Sequence, residues 1–280
     1  MTERSDSPGT AAGTVRLDVE DDVTTLLIDR PAKLNALTPE MLDALDDALA
    51  RVGSSSTKVV LLRGAGEKAF CVGADITRFS QLSPADMWGW WGPRGHEVFD
   101  RLACLRQPTV AVVQGLALGG GLELALACDF RVVAQEARLG FPEVGLGTIP
   151  GWGGTERLTE LVGRARAKEI VLARRSLDGR AAMKLGMATR LAPMANLESA
   201  VAEFVGELTA GPATAVQLAK QLIDAAADGA PGRVLEPLAS GLSAATDEFR
   251  KATAAFTRHR QAGTDPYDWK DYERSKEAQW

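Results

Sequence analysis

Gln114–Thr155 reads QGLALGGGLELALACDFRVVAQEARLGFPEVGLGTIPGWGGT, and this stretch decides how the chain is understood. It follows a β-branched run, Thr109–Val113, which Pro108 and Gly115 bound as a short buried strand. Gly119, Gly120 and Gly121 then let the backbone turn tightly, or approach a ligand closely, with no Cβ in the way. Leu122–Cys128 is apolar almost all round, so it predicts a buried helix. A glycine turn feeding a buried helix aims unpaired N–H groups outward, which suits an anion or a developing oxyanion. Glu123 sits in the first turn of that helix, among leucines. It reads either as dipole compensation or as a working carboxylate. A capping box would need Ser or Thr at the position that Gly120 holds. Enclosure by leucines predicts a raised pKa. A second glutamate, Glu143, stands between Pro142 and Val144, just ahead of the glycine-dense Gly145–Gly154.

Working outward, further segments join this one. Ala117–Ala125, Cys128-Asp129, Phe141–Glu143 and Gly147–Thr155 together resemble the signature region of the crotonase superfamily, and more narrowly the enoyl-CoA hydratases. Asp29–Leu37 (DRPAKLNAL) and Lys68–Ile76 (KAFCVGADI) resemble the two coenzyme A segments of that family, and Phe249–Arg260 its C-terminal helix. The resemblance covers about residues 15–260. It implies an α/β fold: a crotonase (ClpP-like) spiral core of ββα units with a C-terminal helical oligomerisation subdomain.

The resemblance also implies roles. The backbone N–H groups of Ala74 and Gly120 would form an oxyanion hole for a thioester carbonyl, the role the glycine turn suggests on its own. Lys33, Leu34, Ala36, Ala74, Asp75, Ile76, Thr77, Gly120 and Gly121 would border the acyl-CoA, with Lys33 either meeting a phosphate or simply solvated. Glu123 would activate water and Glu143 would protonate Cα, giving reversible syn hydration of a 2-trans-enoyl-CoA. Two carboxylates sharing a dry site repel, so one is expected to stay protonated near neutral pH. Rivals on the same scaffold are enoyl-CoA isomerisation, biosynthetic dehydration and thioester hydrolysis. Glu123 argues against isomerisation, for which the later carboxylate commonly suffices. No metal or redox cofactor is implied, because coenzyme A is part of the substrate. A homotrimer or dimer of trimers is expected through the C-terminal helices.

Composition sets the class. The chain has 280 residues, 45% hydrophobic and 25% charged, in the ordinary globular range. Its formal charge of −5 argues against nucleic acid or an anionic membrane as partner. The local basic cluster Arg164, Arg166, Lys168, Arg174 and Arg175 reads as a solvated helix face. Cys71, Cys104 and Cys128 have no metal-like spacing and suit a reducing, cytoplasmic setting; His96 and His259 are too far apart to suggest a metal site or a triad.

In chain order, residues 1–14 predict a disordered tail. Val15–Val19 and Val23–Ile28 predict a hairpin, and Thr38-Pro39-Glu40 a capped helix start. Arg157–Val162 and Ala165–Arg174 read as helices. A core over 15–195 is then followed by a helical subdomain over 196–262, in three helices: Leu197–Ala210, Thr214–Gly229 and Ala239–Ala262. The charged extension 263–280 reads as a solvated tail or as a strap on a neighbouring subunit. Trp88, Trp90 and Trp91 fall within one four-residue span, as an acyl-pocket wall or as packing under a loop or at a subunit contact. Trp152 departs from the family pattern, where a small residue is usual. With the cluster it predicts a reshaped pocket for short, branched or aromatic acyl groups.

Overall fold

The computed structural model describes residues 13–261, the side chain of Arg260 excepted. Most of the tail expected over 1–14 and all of the extension 263–280 lie outside the described residues. Thr14, however, already belongs to the first strand. β1 (Thr14–Glu20) and β2 (Val23–Asp29) form the expected antiparallel hairpin, with Asp21 at positive φ at its tip. Period-two alternation turns Thr24, Leu26 and Ile28 inward.

The loop that follows is pinned from inside. Leu34 and Asn35 both take positive φ. The fully buried Asn35 amide donates to the carbonyls of Ala65 and Ala69 at 2.9 Å each. Its oxygen accepts the Arg30 N–H at 2.9 Å. Three hydrogen bonds, two of them buried, hold a backbone conformation that most residues avoid. α1 (Pro39–Gly53) then starts as its sequence predicts: Thr38 accepts from the Met41 N–H, proline stands in the first turn, and Met41, Leu42, Leu45 and Leu49 are buried.

The chain continues through β3 (Val59–Gly64), β4 (Ala69–Cys71), α2 (Ile76–Phe79), α3 (Pro84–Asp86), a π-helical turn over Met87–Trp91 and α4 (Gly92–Ala103). Next come β5 (Thr109–Val113), β6 (Leu116–Leu118), α5 (Gly120–Leu126), β7 (Phe130–Ala134), β8 (Arg138–Gly140) and α6 (Gly154–Leu172). β9 (Leu177–Asp178), α7 (Gly179–Lys184), β10 (Arg190–Ala192) and α8 (Leu197–Thr209) complete the first compact unit.

Two sheets result, ordered β1-β2-β3-β5-β7-β10 and β4-β6-β8-β9. The pairs β3/β4, β5/β6 and β7/β8 each give one strand to each sheet before a helix returns the chain, which is the expected spiral of ββα units. Neighbours along the spiral run parallel and are buried, hence the near-continuous apolar reading of β3 and β5.

Two details differ from expectation. The first unit ends at Ala210, not near residue 195. α8 buries Leu197, Val201 and Phe204, and Phe204 meets Phe130 of β7 edge-on at 5.1 Å, so α8 belongs to the core. The two helices expected over Arg157–Val162 and Ala165–Arg174 are both present within α6: Gly163, at φ 75° and ψ 158°, separates them, and the second ends at Leu172. The second unit, from Gly211, has α9 (Ala213–Ala227), α10 (Gly232–Ala244) and α11 (Asp247–Gln261), so among the described residues four helices rather than three follow residue 196. The break inside the expected Ala239–Ala262 helix falls at Ala245-Thr246, where Thr246 accepts from the Phe249 N–H at 3.1 Å.

Candidate active site

Five of the residues singled out from sequence line one cavity of about 620 Å³: Ala74, Ile76, Gly120, Glu123 and Glu143. The fold brings them from three turns of the spiral. β4 leads into the loop carrying Ala74, β6 leads into Gly119 and α5, and β8 leads into the 3₁₀ turn Glu143–Leu146.

Glycine geometry joins the first two. α5 begins at Gly120, two residues before the predicted start, so the Gly120 N–H belongs to the first turn and has no intrahelical acceptor. Gly73 has a φ of +90°, and a Cβ placed on it would fall 2.8 Å from the Gly120 nitrogen. The two loops therefore touch backbone to backbone. At Ala74 the neighbouring ladder bonds run from Leu37 N–H to Gly73 O and from Asp75 N–H to Leu37 O, both at 2.8 Å. That alternation turns the Ala74 N–H away from Leu37.

Glu123 is 2% exposed. Its Oε1 accepts two backbone N–H bonds at 2.8 Å each, from Trp152 and Gly154. Any side chain at Gly154 would strike it, since a Cβ there would fall 2.7 Å from the Glu123 Cγ. Burial pushes its carboxyl above the ordinary value, while the N–H groups of Trp152, Gly154 and Gly151, and more weakly the charge of His96, pull it back. Glu143 is in the opposite condition. Both of its carboxylate oxygens are buried and neither accepts a well-formed hydrogen bond. Burial pushes its carboxyl up to about 7, its own amide N–H opposes this, and the negative charge of Glu123 adds to the rise. Gly119, at φ +53°, gives it room: a Cβ there would fall 2.8 Å from the Glu143 Oε1. The arrangement thus pairs a buried carboxyl whose charged form is stabilised by two N–H donors with one that has no such donors and is pushed up to about 7, beside two outward N–H groups.

The other residues expected to border a ligand lie apart from this cavity. Gly121 is buried behind it, where its missing Cβ leaves space for the Cys71 carbonyl. The Asp75 side chain bonds buried Arg30 at 2.7 Å and caps α2 through the Thr77 N–H at 2.9 Å. Burial alone would raise its carboxyl, yet these bonds hold it below the ordinary value. Leu34 borders a second cavity of about 240 Å³, with Pro31, Gly66 and Lys68. Ala36 is buried and offers its carbonyl to Arg30, while Lys33 and Thr77 are exposed.

The structure also adds to the site. Trp88, Trp91 and Trp152 line the cavity, as the pocket-wall reading expects, although Trp88 is 86% exposed. Trp90 does not line it and is 44% exposed. His96 and Thr148 line it as well. No motif marks either residue; the nearest signal for His96 is its neighbour Gly95, which α4 presents to the Trp152 ring.

Known proteins resemble this chain in sequence and in fold. The family model described as enoyl-CoA hydratase/isomerase matches residues 18–266. A short-chain-enoyl-CoA hydratase of Clostridium acetobutylicum is 35% identical over 250 residues, covering 88% of this chain and 95% of that protein. A crotonyl-CoA hydratase of Syntrophomonas wolfei is 34% identical, with 88% and 95% covered. Among solved structures, an enoyl-CoA hydratase of Bacillus anthracis superposes with a TM-score of 0.82 at 32% identity, covering 87% of this chain and 96% of that one.

Proposed function

The chain belongs to the enoyl-CoA hydratase/isomerase family, and from that premise we propose that it is a hydro-lyase adding water reversibly, in syn fashion, to a 2-trans-enoyl-CoA. The observation that carries this reading is the unequal pair of carboxylates: Glu123 held by two N–H donors, Glu143 buried without one.

The thioester carbonyl rests between the N–H groups of Ala74 and Gly120. Glu123 takes a proton from water, and the water oxygen forms its bond to Cβ. The Cα=Cβ electron pair moves onto the carbonyl oxygen, where the two N–H groups stabilise the enolate. Glu143 then gives its proton to Cα, and a 3-hydroxyacyl-CoA results. Glu143 acts from the protonated state that its burial favours, and the two N–H donors on Glu123 stabilise the carboxylate that takes the proton. No step calls for a metal or redox group, and coenzyme A enters as part of the substrate.

The test is loss of the conjugated enoyl-thioester absorbance with crotonyl-CoA. Wild-type kcat/KM is expected to fall as pH rises past about 7, where Glu143 releases the proton it must donate. A profile flat to well above neutral pH would remove Glu143 from that role.

The protein works as a homotrimer or dimer of trimers in the cytoplasm, without a nucleic-acid or membrane partner. Support comes from exposed apolar residues on the helices of the second unit, among them Ile223, Leu238, Leu242 and Phe249. The net charge of −5 speaks against polyanionic partners, and the buried thiols of Cys71 and Cys128 suit a reducing compartment. Among the described residues, no helix is long and apolar enough to cross a membrane. Sedimentation velocity is expected to give three or six copies; a monomer at micromolar concentration contradicts this assembly.

A further inference from the structure

One wall of the cavity beside the carboxylates is aromatic, and at Trp152 it is tightly packed. Trp152 is 3% exposed and is fixed on several sides. Its indole N–H donates to the Trp91 carbonyl at 3.3 Å. Its ring lies 5.0 Å from that of Trp91, tilted by 58°, and 5.2 Å from that of Phe99, edge-on. α4 offers bare backbone to it: a Cβ on Gly95 would fall 1.9 Å from the indole nitrogen. On the catalytic side, a Cβ on Gly120 would fall 2.7 Å from the Trp152 Cζ3. The indole therefore cannot swing aside without moving α4, and it stands next to the residue whose N–H holds the thioester oxygen. Acyl atoms only a few bonds from that carbonyl must meet it.

Beyond Trp152 the wall continues with Trp91, Met87, Trp88 and Phe79. Apart from the two glutamates, His96 and Thr148 are the polar side chains that reach the cavity, apart from the indole N–H groups. A flexible alkyl tail against such a wall gains burial but loses rotamer freedom. A ring conjugated to the enoyl double bond is already flat, so it loses little freedom and also gains offset and edge contacts with the indoles.

Resting on the hydratase reading above, we propose that the acyl group taken here carries an aromatic ring on Cβ: a 3-arylpropenoyl-CoA and its hydrated partner, a 3-aryl-3-hydroxypropanoyl-CoA. Conjugation of the ring with the double bond favours the unsaturated form, so the reaction is best followed as dehydration. The Cα proton passes to Glu143, and the Cβ hydroxyl leaves as water with a proton from Glu123. The electron pair of the broken C–H bond becomes the double bond.

Two comparisons test this. Binding of the unreactive 3-phenylpropanoyl-CoA and butanoyl-CoA, measured by titration calorimetry, tests the aromatic slot. Dehydration of 3-hydroxy-3-phenylpropanoyl-CoA and 3-hydroxybutanoyl-CoA, read as the rise of conjugated thioester absorbance, tests the chemistry. The phenyl compounds are expected to lead by about tenfold in both affinity and kcat/KM, the order that two ring contacts provide. In Trp152→Leu, which keeps an apolar side chain but no flat face, the phenyl-to-alkyl ratio is expected to drop toward one. A wild-type binding ratio of one or less overturns the aromatic slot, and turnover of 3-hydroxybutanoyl-CoA in that case leaves the hydratase reading standing. Preferential phenyl binding with no turnover of either substrate keeps the slot and overturns the hydratase reading. A ratio unchanged in folded Trp152→Leu removes Trp152 as its determinant. If that variant does not fold, the wild-type ratio decides alone.

Discussion

Replacing Glu143 with glutamine is expected to lower kcat for hydration by about two or more orders of magnitude and, above neutral pH, to make the protein more stable. Both effects come from the same fact: its two carboxylate oxygens are buried without a hydrogen-bond partner. For chemistry this keeps a transferable proton at a carboxyl pushed up to about 7. For stability it is a burden. Between the ordinary carboxylate value of 4.5 and about 7, the folded chain holds a proton that the unfolded chain has released. Stability therefore falls as pH rises through that window and stays reduced above it. With allowance for solvent reaching the cavity, the burden is about 1–2 kcal/mol. Glutamine has the same shape and no charge, so melts at pH 8 should rise by a few degrees while remaining unchanged near pH 4. Glu123→Gln should lose comparable activity while keeping its place, because an amide oxygen can accept the same two N–H bonds. Retained activity in Glu143→Gln would remove this residue from proton transfer, and a pH-independent melting shift would contradict its burial as a charge.

The second large effect is expected at a residue with no side chain. Gly73→Ala should lower kcat/KM by about 10²–10³-fold, the scale of losing an oxyanion donor. At φ +90°, its new methyl would lie 2.8 Å from the Gly120 nitrogen and 3.1 Å from the Leu118 oxygen. The loops carrying Ala74 and Gly120 must then separate. Backbone strain at positive φ will also lower stability, by about 1–3 kcal/mol, so a matched control is needed. Gly186→Ala supplies it: φ is +77° there, and the nearest atom to a Cβ is the Leu161 oxygen at 3.9 Å. It is expected to lose similar stability and to keep its activity. Assays well below both melting temperatures separate the two effects. Activity of Gly73→Ala within about threefold of wild type would end the oxyanion assignment of Ala74 and Gly120.

How much of this the sequence disclosed depends on how local each feature is. Gly119–Gly121 and Glu123 are neighbours in the chain, so a turn, a helix start and an enclosed carboxylate could be read together. The Thr38 cap and the β1–β2 hairpin were legible for the same reason. The cavity wall was not, because it is assembled from residues as separate as Phe79, His96 and Trp152. The tryptophans were conspicuous, but sequence did not say which of them face inward. α8 was legible as a helix from Leu197, Val201 and Phe204, yet nothing local said which body buries them. α10 starts at Gly232 and runs through Pro237, seven residues ahead of the helix start expected at Ala239. The real break at Ala245-Thr246 carries neither glycine nor proline and rests on one threonine hydroxyl.

Trp152 unites two attributes that selection is free to treat separately. Its main-chain N–H secures Glu123, while its indole shapes the acyl wall. Every amino acid except proline carries that N–H. The position can therefore change its side chain and alter which acyl groups are accepted, with the hold on the base inherited intact. Gly154, whose N–H provides the second bond, has no such licence, because any side chain there meets the carboxylate. Within three residues the chain sets a site open to innovation beside one closed to it. A lineage of such enzymes would diversify its substrates at 152 long before it altered its reaction.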